Sequence, residues 1–267
     1  MTHVVCVGLA TRDTIFALPR YPQPDDVVVA RELIVAGGGP AATAAVALAR
    51  LGVETYFVGA VGDDQVGAFT RESLESEGVD VSELAVRPGA RSAQSSVLIS
   101  GPNRAIAAYR GTAIIELSPR AQQLCREAEW VHVDQTGYGT VPQDVRLSID
   151  GGNLIDDLEL DGVALYSPTE ARDDGRRAEL TVVTRGSDGC VAYRGDETIE
   201  APGFPVEAVS TLGAGDVFHG ALLAAFVHDL SLADALARAN ACASLSCRAL
   251  DGRSEIPTRD ELERSTT

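Results

Sequence analysis

Short apolar runs alternate with longer stretches of mixed apolar and polar positions along most of the chain. Strand-like apolar runs lie at 4–9, 55–61, 130–134, 145–150 and 163–167. Short apolar runs bounded by turn residues are typical of buried strands, and strands that alternate with helical patterns are typical of βαβ units. The pattern therefore predicts an α/β fold built on a mostly parallel sheet.

Helical patterns fill many of the intervals between these runs. We predict helices in the alanine-rich run that ends at Gly52, at Ala68–Glu77, from Gly215 to about His228, from Leu232 to about Ala249, and after Pro257. Gly52 and Gly78 follow the first two helices, where glycine is a stop signal. The segment 179–193 differs, because a strand, a tight turn and a second strand follow one another closely.

One region interrupts the alternation of strands and helices. Ser92–Ala113 contains two extended segments around a Gly-Pro-Asn turn, which predicts a hairpin. Asp26–Val35 is a further extended stretch, rich in valine. We expect a single domain over 1–267, in which lid segments near 14–35 and 92–113 form a small sheet outside the main one.

Composition narrows the classes of partner. The 267 residues are 45% hydrophobic. They include 39 acidic and 22 basic residues, which gives a net charge of −17 with histidine neutral, and all 22 basic residues are arginine. Nucleic acid is disfavoured as a partner, because phosphate contacts need a basic face. The sequence shows neither a spanning apolar stretch nor a leader pattern, so we expect no membrane partner and a cytoplasmic protein. Its five scattered cysteines predict buried thiols rather than a metal site.

The stretch "STLGAGD" at 210–216 precedes an apolar helical run. Gly213 and Gly215 permit a close backbone approach, and a helix that begins near Gly215 points unpaired N–H groups outward, where they favour an anion. A carboxylate at Asp216 is suited to act as a base toward an attacking hydroxyl rather than to bind phosphate. A tight turn with a helix-capping aspartate is the alternative explanation of the same letters.

Several motifs together resemble the PfkB, or ribokinase-like, carbohydrate kinase family over nearly the whole chain. "TLGAGDVFHGALLAAF" resembles the C-terminal signature of the family, and "AGGGPAATAAVALARLG" with "VGAVGDDQVG" resembles the N-terminal one. The resemblance implies a three-layer α/β/α fold with a small β lid, and ATP and Mg²⁺ as cofactors. It implies that Asp216 is the catalytic base and that Gly213, Ala214 and Gly215 complete the anion hole with it.

The same resemblance implies residues for both substrates. For the sugar, it implies Asp13 and the loop residues Gly38, Gly39 and Thr43, the last standing where asparagine is frequent. For the nucleotide, "VVTRGSDG" and "ARANACASLSC" imply the residues Thr184, Gly186, Asn240 and Ser244.

Two further departures accompany Thr43. "YSPTEA" has Ser167 where the family's Asn-x-x-Glu motif has asparagine, although Glu170 is retained and is implied to hold magnesium through water. Ser210 replaces an aspartate that supports the catalytic turn. A solvated glutamate near a helix start is the alternative explanation of Glu170.

The resemblance is strongest to ketose kinases, the branch that includes sulfofructose kinase. An anionic substrate end would need a cation, for which Arg110 and Arg31 are candidates, although exposed lid arginines are the simpler explanation. The functional alternatives are a catalytically silent sugar- or nucleotide-binding relative, a nucleoside kinase, and, least favoured, a nicotinamide oxidoreductase, since the glycines at 37–39 lack the rest of a GxGxxG pattern. The extended lid segments also suggest a homodimer that pairs through the lid.

Overall fold

A computed structural model describes residues 2–101 and 103–266. Its strands are β1 (His3–Val7), β2 (Thr11–Ala17), β3 (Glu32–Gly38), β4 (Glu54–Gly62), β5 (Leu84–Arg87), β6 (Gln94–Ser100), β7 (Asn103–Tyr109), β8 (Trp130–Val133), β9 (Leu147–Gly151), β10 (Leu165–Pro168), β11 (Leu180–Thr184), β12 (Cys190–Arg194) and β13 (Glu197–Ala201). Its α-helices are α1 (Pro40–Arg50), α2 (Gln65–Glu75), α3 (Pro119–Glu127), α4 (Ala214–Val227), α5 (Leu232–Ser246) and α6 (Arg259–Ser265). None of the helices within the described ranges combines the length and apolar character that crossing a membrane requires.

A nine-stranded sheet forms the middle of the molecule. Its strand order is β13-β12-β11-β10-β9-β8-β1-β4-β5. Every pair from β11 to β5 is parallel, and β12 and β13 extend the sheet as antiparallel neighbours. Open sheets of this kind bind ligands beyond the carboxyl ends of their parallel strands, so this edge is where a site is expected.

Helices cover both faces of this sheet. Along β1, Val4 and Cys6 pack in the apolar cluster that contains residues of α1, α4 and α5, whereas Val5 and Val7 pack in the cluster that contains residues of α3. This separation follows from the strand geometry, in which successive side chains point to opposite faces. The prediction of a three-layer α/β/α fold is confirmed.

Helices α1 and α4 approach each other closely, which fixes where α4 begins. A Cβ atom at Gly220 would lie 2.4 Å from the backbone oxygen of Ala44. Small residues on both helices permit this contact, and the alanine-rich composition of α1 thereby positions α4 and the glycine turn at 210–216 that precedes it.

A second sheet has four strands, in the order β3-β2-β6-β7. The predicted hairpin over Ser92–Ala113 is present, since β6 and β7 pair antiparallel with Ser100 opposite Asn103. Pro102, in the predicted turn, lies outside the described residues. One face of this sheet packs Ile15, Val97 and Ile99 against the rest of the molecule.

Two predicted elements differ from the structure, and one helix was not predicted. The strand predicted at Asp26–Val35 was wrong in its first half, because Val27 and Val29 are exposed and pairing with β2 begins only at Glu32. Helix α2 begins three residues earlier than expected, since the Asp64 side chain accepts a hydrogen bond from the Gly67 backbone N–H and caps it. Helix α3 was not predicted at all.

Candidate active site

The catalytic turn at 210–216 leaves the start of α4 open. Gly213 precedes the helix in a left-handed conformation with φ of 74°, and no side chain of the described residues caps the helix. A Cβ atom added at Gly215 would meet nothing within 4 Å. Ser210 supports the turn in place of the family's aspartate, because its Oγ accepts a hydrogen bond from the Leu212 N–H at 3.2 Å.

Asp216 lies in the first turn of α4, where part of its surface remains accessible. Burial among protein groups and, second to it, the nearby carboxylate of Asp150 together raise the pKa of its carboxyl to about 7. His219 and Arg253 act in the opposite direction through their positive charge. A carboxyl group that titrates near neutral pH is suited to accept a proton from a substrate hydroxyl.

A cavity of about 570 Å³ opens beside the catalytic turn. Ala214 and Gly215 line it, as do all four residues that the sequence implied for the nucleotide. Those four residues are Thr184, Gly186, Asn240 and Ser244. The structure thus brings the predicted nucleotide residues and part of the predicted anion hole to one cavity.

Asn240 shapes this cavity. Its Nδ2 donates to the backbone oxygens of Ala201 and Pro202, at 3.1 and 3.0 Å, and thereby ties α5 to the segment after β13. The segment continues with Phe204 and Pro205, which line the cavity as apolar surface. Apolar lining with a few polar groups is usual for small-molecule sites.

The acceptor loop, defined here as Gly37–Thr43, is closely packed around Asp13. The Asp13 carboxylate accepts hydrogen bonds from the hydroxyls of Thr11 and Ser95, at 2.8 and 2.7 Å. A Cβ atom at Gly38 would lie 2.0 Å from Asp13 Oδ2. Gly39 has φ of 94°, and a Cβ atom there would lie 2.3 Å from the Leu9 backbone oxygen. Glycine is required at both positions.

Two charged residues that hold the acceptor loop were missed from the sequence. Arg253, only 5% exposed, donates from Nε to Thr43 Oγ1 at 3.2 Å and from Nη2 to the Gly38 backbone oxygen at 2.7 Å. Asp134 follows β8 and is buried, with backbone N–H groups of Leu9 and Ala41 donating to its Oδ2.

Asp134 occupies the start of α1. Its carboxylate also accepts from the N–H groups of Thr136 and Gly137. Burial raises the pKa of this carboxyl, and these four backbone donors oppose the rise. The start of α1 is therefore filled by a carboxyl group of the protein itself.

The predicted metal residue, Glu170, does not line the cavity, although its neighbour Thr169 does. Glu170 opens a short 3₁₀ turn, its side chain is 72% exposed, and Arg185 Nε lies 3.8 Å from its Oε1. Ser167 is buried and donates to the Val182 backbone oxygen at 2.8 Å. Within residues 2–101 and 103–266, no three His, Cys, Asp or Glu side chains form a metal-binding group. An accessible carboxylate fits magnesium held through water, because this ion retains several of its waters.

The two lid arginines of the prediction lie at the surface. Arg31 and Arg110 are exposed, and neither lines the cavity. Arg104 of β7 does line it, and its Nη1 donates to Thr211 Oγ1 at 2.6 Å, next to the catalytic turn. The role assigned to Arg110 stays a prediction.

His219 is buried, as a packed helix residue should be, but it also faces polar groups. Its Nδ1 lies 3.5 Å from Asp150 Oδ2, and its ring lies 5.7 Å from that of His132. Burial disfavours the charged imidazole, but the carboxylates of Asp150 and Asp216 and the Ser167 backbone together outweigh it and raise the pKa of His219. Asp150, at the carboxyl end of β9, thus joins the charges around Asp216.

The missed residues carried few sequence signals. Asp134 and Asp150 both end strand-like runs, and strand ends in a parallel sheet meet at the ligand-binding edge, so this position was a usable signal. Arg253 stands in the irregular "DGRS" stretch, far along the chain from the loop it holds, and no local pattern points to that contact.

Comparison with known proteins shows the family to which the sequence is similar. The profile of the family described as "pfkB family carbohydrate kinase" matches residues 1–149 and 167–259. The chain is 28% identical to ATP-dependent ribose-1-phosphate kinase of Halopiger xanaduensis, over 98% of this chain and 97% of that one. It is 24% identical to ribokinase of Bacillus subtilis, over 98% and 99%, and 29% identical to fructokinase of Klebsiella pneumoniae, over 87% and 92%.

Solved structures share the fold. Ribokinase from Cryptococcus neoformans in complex with ADP superposes with a TM-score of 0.85 at 19% identity, covering 99% of this chain and 100% of that one. Arabidopsis thaliana ribokinase complexed with ribose and ATP gives 0.84 at 22% identity, covering 99% and 98%.

Proposed function

The chain belongs to the pfkB family of carbohydrate kinases, and we propose that it transfers the γ-phosphoryl group of ATP to a hydroxyl of a small sugar. One observation carries the proposal. Asp216, whose carboxyl has a pKa of about 7, lies in the first turn of α4, directly after the uncapped helix start. We assign the nucleotide phosphates to the cavity that Ala214 and Gly215 line.

In the proposed reaction the acceptor oxygen attacks the γ-phosphorus, the bond to the leaving ADP breaks, and the hydroxyl proton passes to Asp216. Backbone N–H groups of Gly213, Ala214, Gly215 and Asp216 stabilise the charge on the transferring group. Asp13, Gly38, Gly39 and Thr43 bind and orient the sugar. Thr184, Gly186, Asn240 and Ser244 hold the nucleotide.

Glu170 holds magnesium through water in this proposal. When bound, the ion neutralises negative charge on the phosphates of ATP. Glu170 is suited to this role because its carboxylate is exposed. Its ion pair with Arg185 is long, at 3.8 Å, so a hydrated magnesium ion can replace it.

A panel of acceptors tests the proposed function. Purified protein with ATP and magnesium is assayed by ADP release against ribose, ribose 1-phosphate, fructose, sulfofructose and a nucleoside. Relatives carry the names of kinases for riboside, ribose and fructose acceptors, which is why both sugars and nucleosides are included. Turnover of any sugar supports the proposal. Thermal stabilisation by ATP without product from any acceptor contradicts it and identifies a silent binding relative, whereas turnover of the nucleoside alone identifies a nucleoside kinase.

The four-stranded sheet β3-β2-β6-β7, here called the lid sheet, is the basis of a second part of the proposal, a homodimer. Phe16, Leu33, Val35, Leu98 and Tyr109 share its outer face by strand register, and Leu33, Val35 and Tyr109 are 55%, 37% and 43% exposed. A second copy of this chain would cover that apolar face. Sedimentation at micromolar concentration should give a dimer, and Leu33→Asp should give a monomer; a monomeric unmodified protein contradicts this part. We also propose a cytoplasmic location, where ATP is supplied.

A further inference from the structure

Arg253 lies beneath the acceptor loop and is 5% exposed. The turn that presents it is fixed by Asp251, whose Oδ1 accepts from the N–H groups of Arg253 and Ser254 at 2.8 and 2.7 Å. The guanidinium then donates to Thr43 and to the Gly38 backbone oxygen. A Cβ atom at Gly37 would lie 2.3 Å from Nη1, so the loop is shaped around this side chain.

The same turn packs against the catalytic turn. A Cβ atom at Gly213 would lie 3.1 Å from Gly252 Cα, and one at Gly252 would lie 2.9 Å from the Leu212 backbone oxygen. Arg253 therefore connects two segments that must be aligned for transfer, the acceptor loop and the turn that carries Asp216.

Four carboxylates lie near enough to the Arg253 guanidinium to favour its charged form. They are Asp13 of β2, Glu77 after α2, Asp216 of α4, and Asp251 of its own turn. Burial lowers the pKa of Arg253 to about 10, and these carboxylates oppose that effect, so the group is charged at neutral pH. Asp150 and Asp134 raise the pKa of Asp216 as like charges, and the Arg253 charge opposes them.

We propose that Arg253 is a positioning residue with two separable actions: its forked donors hold the acceptor loop, and its charge stabilises the carboxylate form of Asp216. The proposal rests on the proposed kinase function. Thr43 belongs to this arrangement, because its hydroxyl accepts the hydrogen bond that Arg253 Nε donates.

Two substitutions separate donors from charge. Arg253→Lys keeps the charge but cannot reproduce the planar fork, whereas Arg253→Gln loses both the fork and the charge. With the acceptor identified in the panel, both variants should raise KM for that acceptor about tenfold or more and leave KM for ATP nearly unchanged. Only Arg253→Gln should also move the acid limb of the kcat/KM profile, upward by about one pH unit.

Thr43→Val is the matched control, because it keeps the side-chain shape and removes only the hydroxyl that accepts from Nε. We expect a raised acceptor KM and an unmoved acid limb. The other groups that face Asp216, namely Asp150, His219 and Asp134, are unchanged in all three variants. Equal effects on both KM values, or an acid limb in Arg253→Gln at the unmodified position, would overturn the proposal.

A readout without turnover keeps the inference distinct from the proposed function. Carbon-13 NMR titration of the Asp216 carboxyl in the ligand-free protein should give a higher midpoint in Arg253→Gln than in the unmodified protein and in Arg253→Lys. An unmoved midpoint in folded Arg253→Gln overturns the charge action. If Arg253→Gln does not fold, the acceptor KM values of Arg253→Lys and Thr43→Val decide the positioning action. Failure of the whole acceptor panel contradicts the kinase proposal instead, and the NMR midpoints still decide the charge action.

Discussion

Two glycine-rich turns each lead into a helix, but the space at one helix start is filled by protein groups and the space at the other is open. At the acceptor loop, which precedes α1, the space around the glycines is already filled: Asp13 lies against Gly38, and the Asp134 carboxylate accepts from the Ala41 N–H at the helix start. At the catalytic turn, which precedes α4, no described side chain caps the helix and Gly215 faces open space.

The difference teaches what glycine does in each turn. A helix start attracts an anion, since its first N–H groups are unpaired and the helix dipole is positive there. In α1 the Asp134 carboxyl group fills this place, and we propose that the turn holds the acceptor. In α4 the place is open, and in the proposed reaction it receives the transferring phosphoryl group while Asp216, one residue beyond Gly215, takes the proton.

The largest expected effect comes from Asp216→Asn. The amide keeps the size of the side chain but cannot accept the substrate proton, so kcat should fall by about 10²–10⁴-fold. Binding of ATP, measured by calorimetry, should remain, because the cavity residues are unchanged. Asp196→Asn, in the exposed turn between β12 and β13, is the control and should retain full activity. Full turnover in Asp216→Asn would remove the assigned base.

Gly38→Ala probes the filled turn. Its Cβ would lie 2.0 Å from Asp13 Oδ2, so Asp13 or the loop must move. Overpacking of this kind costs about 1–3 kcal/mol of unfolding free energy, which urea denaturation would measure. Acceptor KM should rise as Asp13 is displaced. An unchanged midpoint of unfolding would show that the loop is looser than its contacts indicate.

The pH dependence probes the open turn. The base must be deprotonated, and burial with the Asp150 charge raises the pKa of Asp216 to about 7. Activity should therefore be highest above pH 7 and fall about tenfold per unit well below it. The measurement is kcat/KM for the acceptor between pH 5 and 9. A profile that stays flat down to pH 5 would indicate that Asp216 titrates at an ordinary carboxyl value.

Sequence patterns were sufficient for one of these turns and insufficient for the other. Strand and helix alternation predicted the α/β fold, and the local letters of 213–216 predicted a helix start beside a base. Helix α3 was missed because its sequence is largely polar, so its few buried residues gave a weak pattern. Arg253 and Asp134 were missed because their contacts join segments more than 90 residues apart, which only the folded topology brings together.

Gly215→Ala should separate folding from chemistry most sharply, with the smallest effect on stability. Its Cβ meets no protein atom within 4 Å, and alanine is favoured over glycine in a helix by about 0.5–1 kcal/mol. The unfolding midpoint should therefore stay equal or rise, the opposite of Gly38→Ala. The added methyl group projects toward the cavity where phosphate is proposed to bind, so affinity for ATP and kcat should both fall. Gly195→Ala is the matched control, because it too has open space around its Cβ but lies in the turn before β13; its positive φ of 57° should lower stability while ATP affinity stays unchanged. Unchanged ATP affinity and kcat in Gly215→Ala would mean that the open start of α4 is not where the phosphoryl group is held.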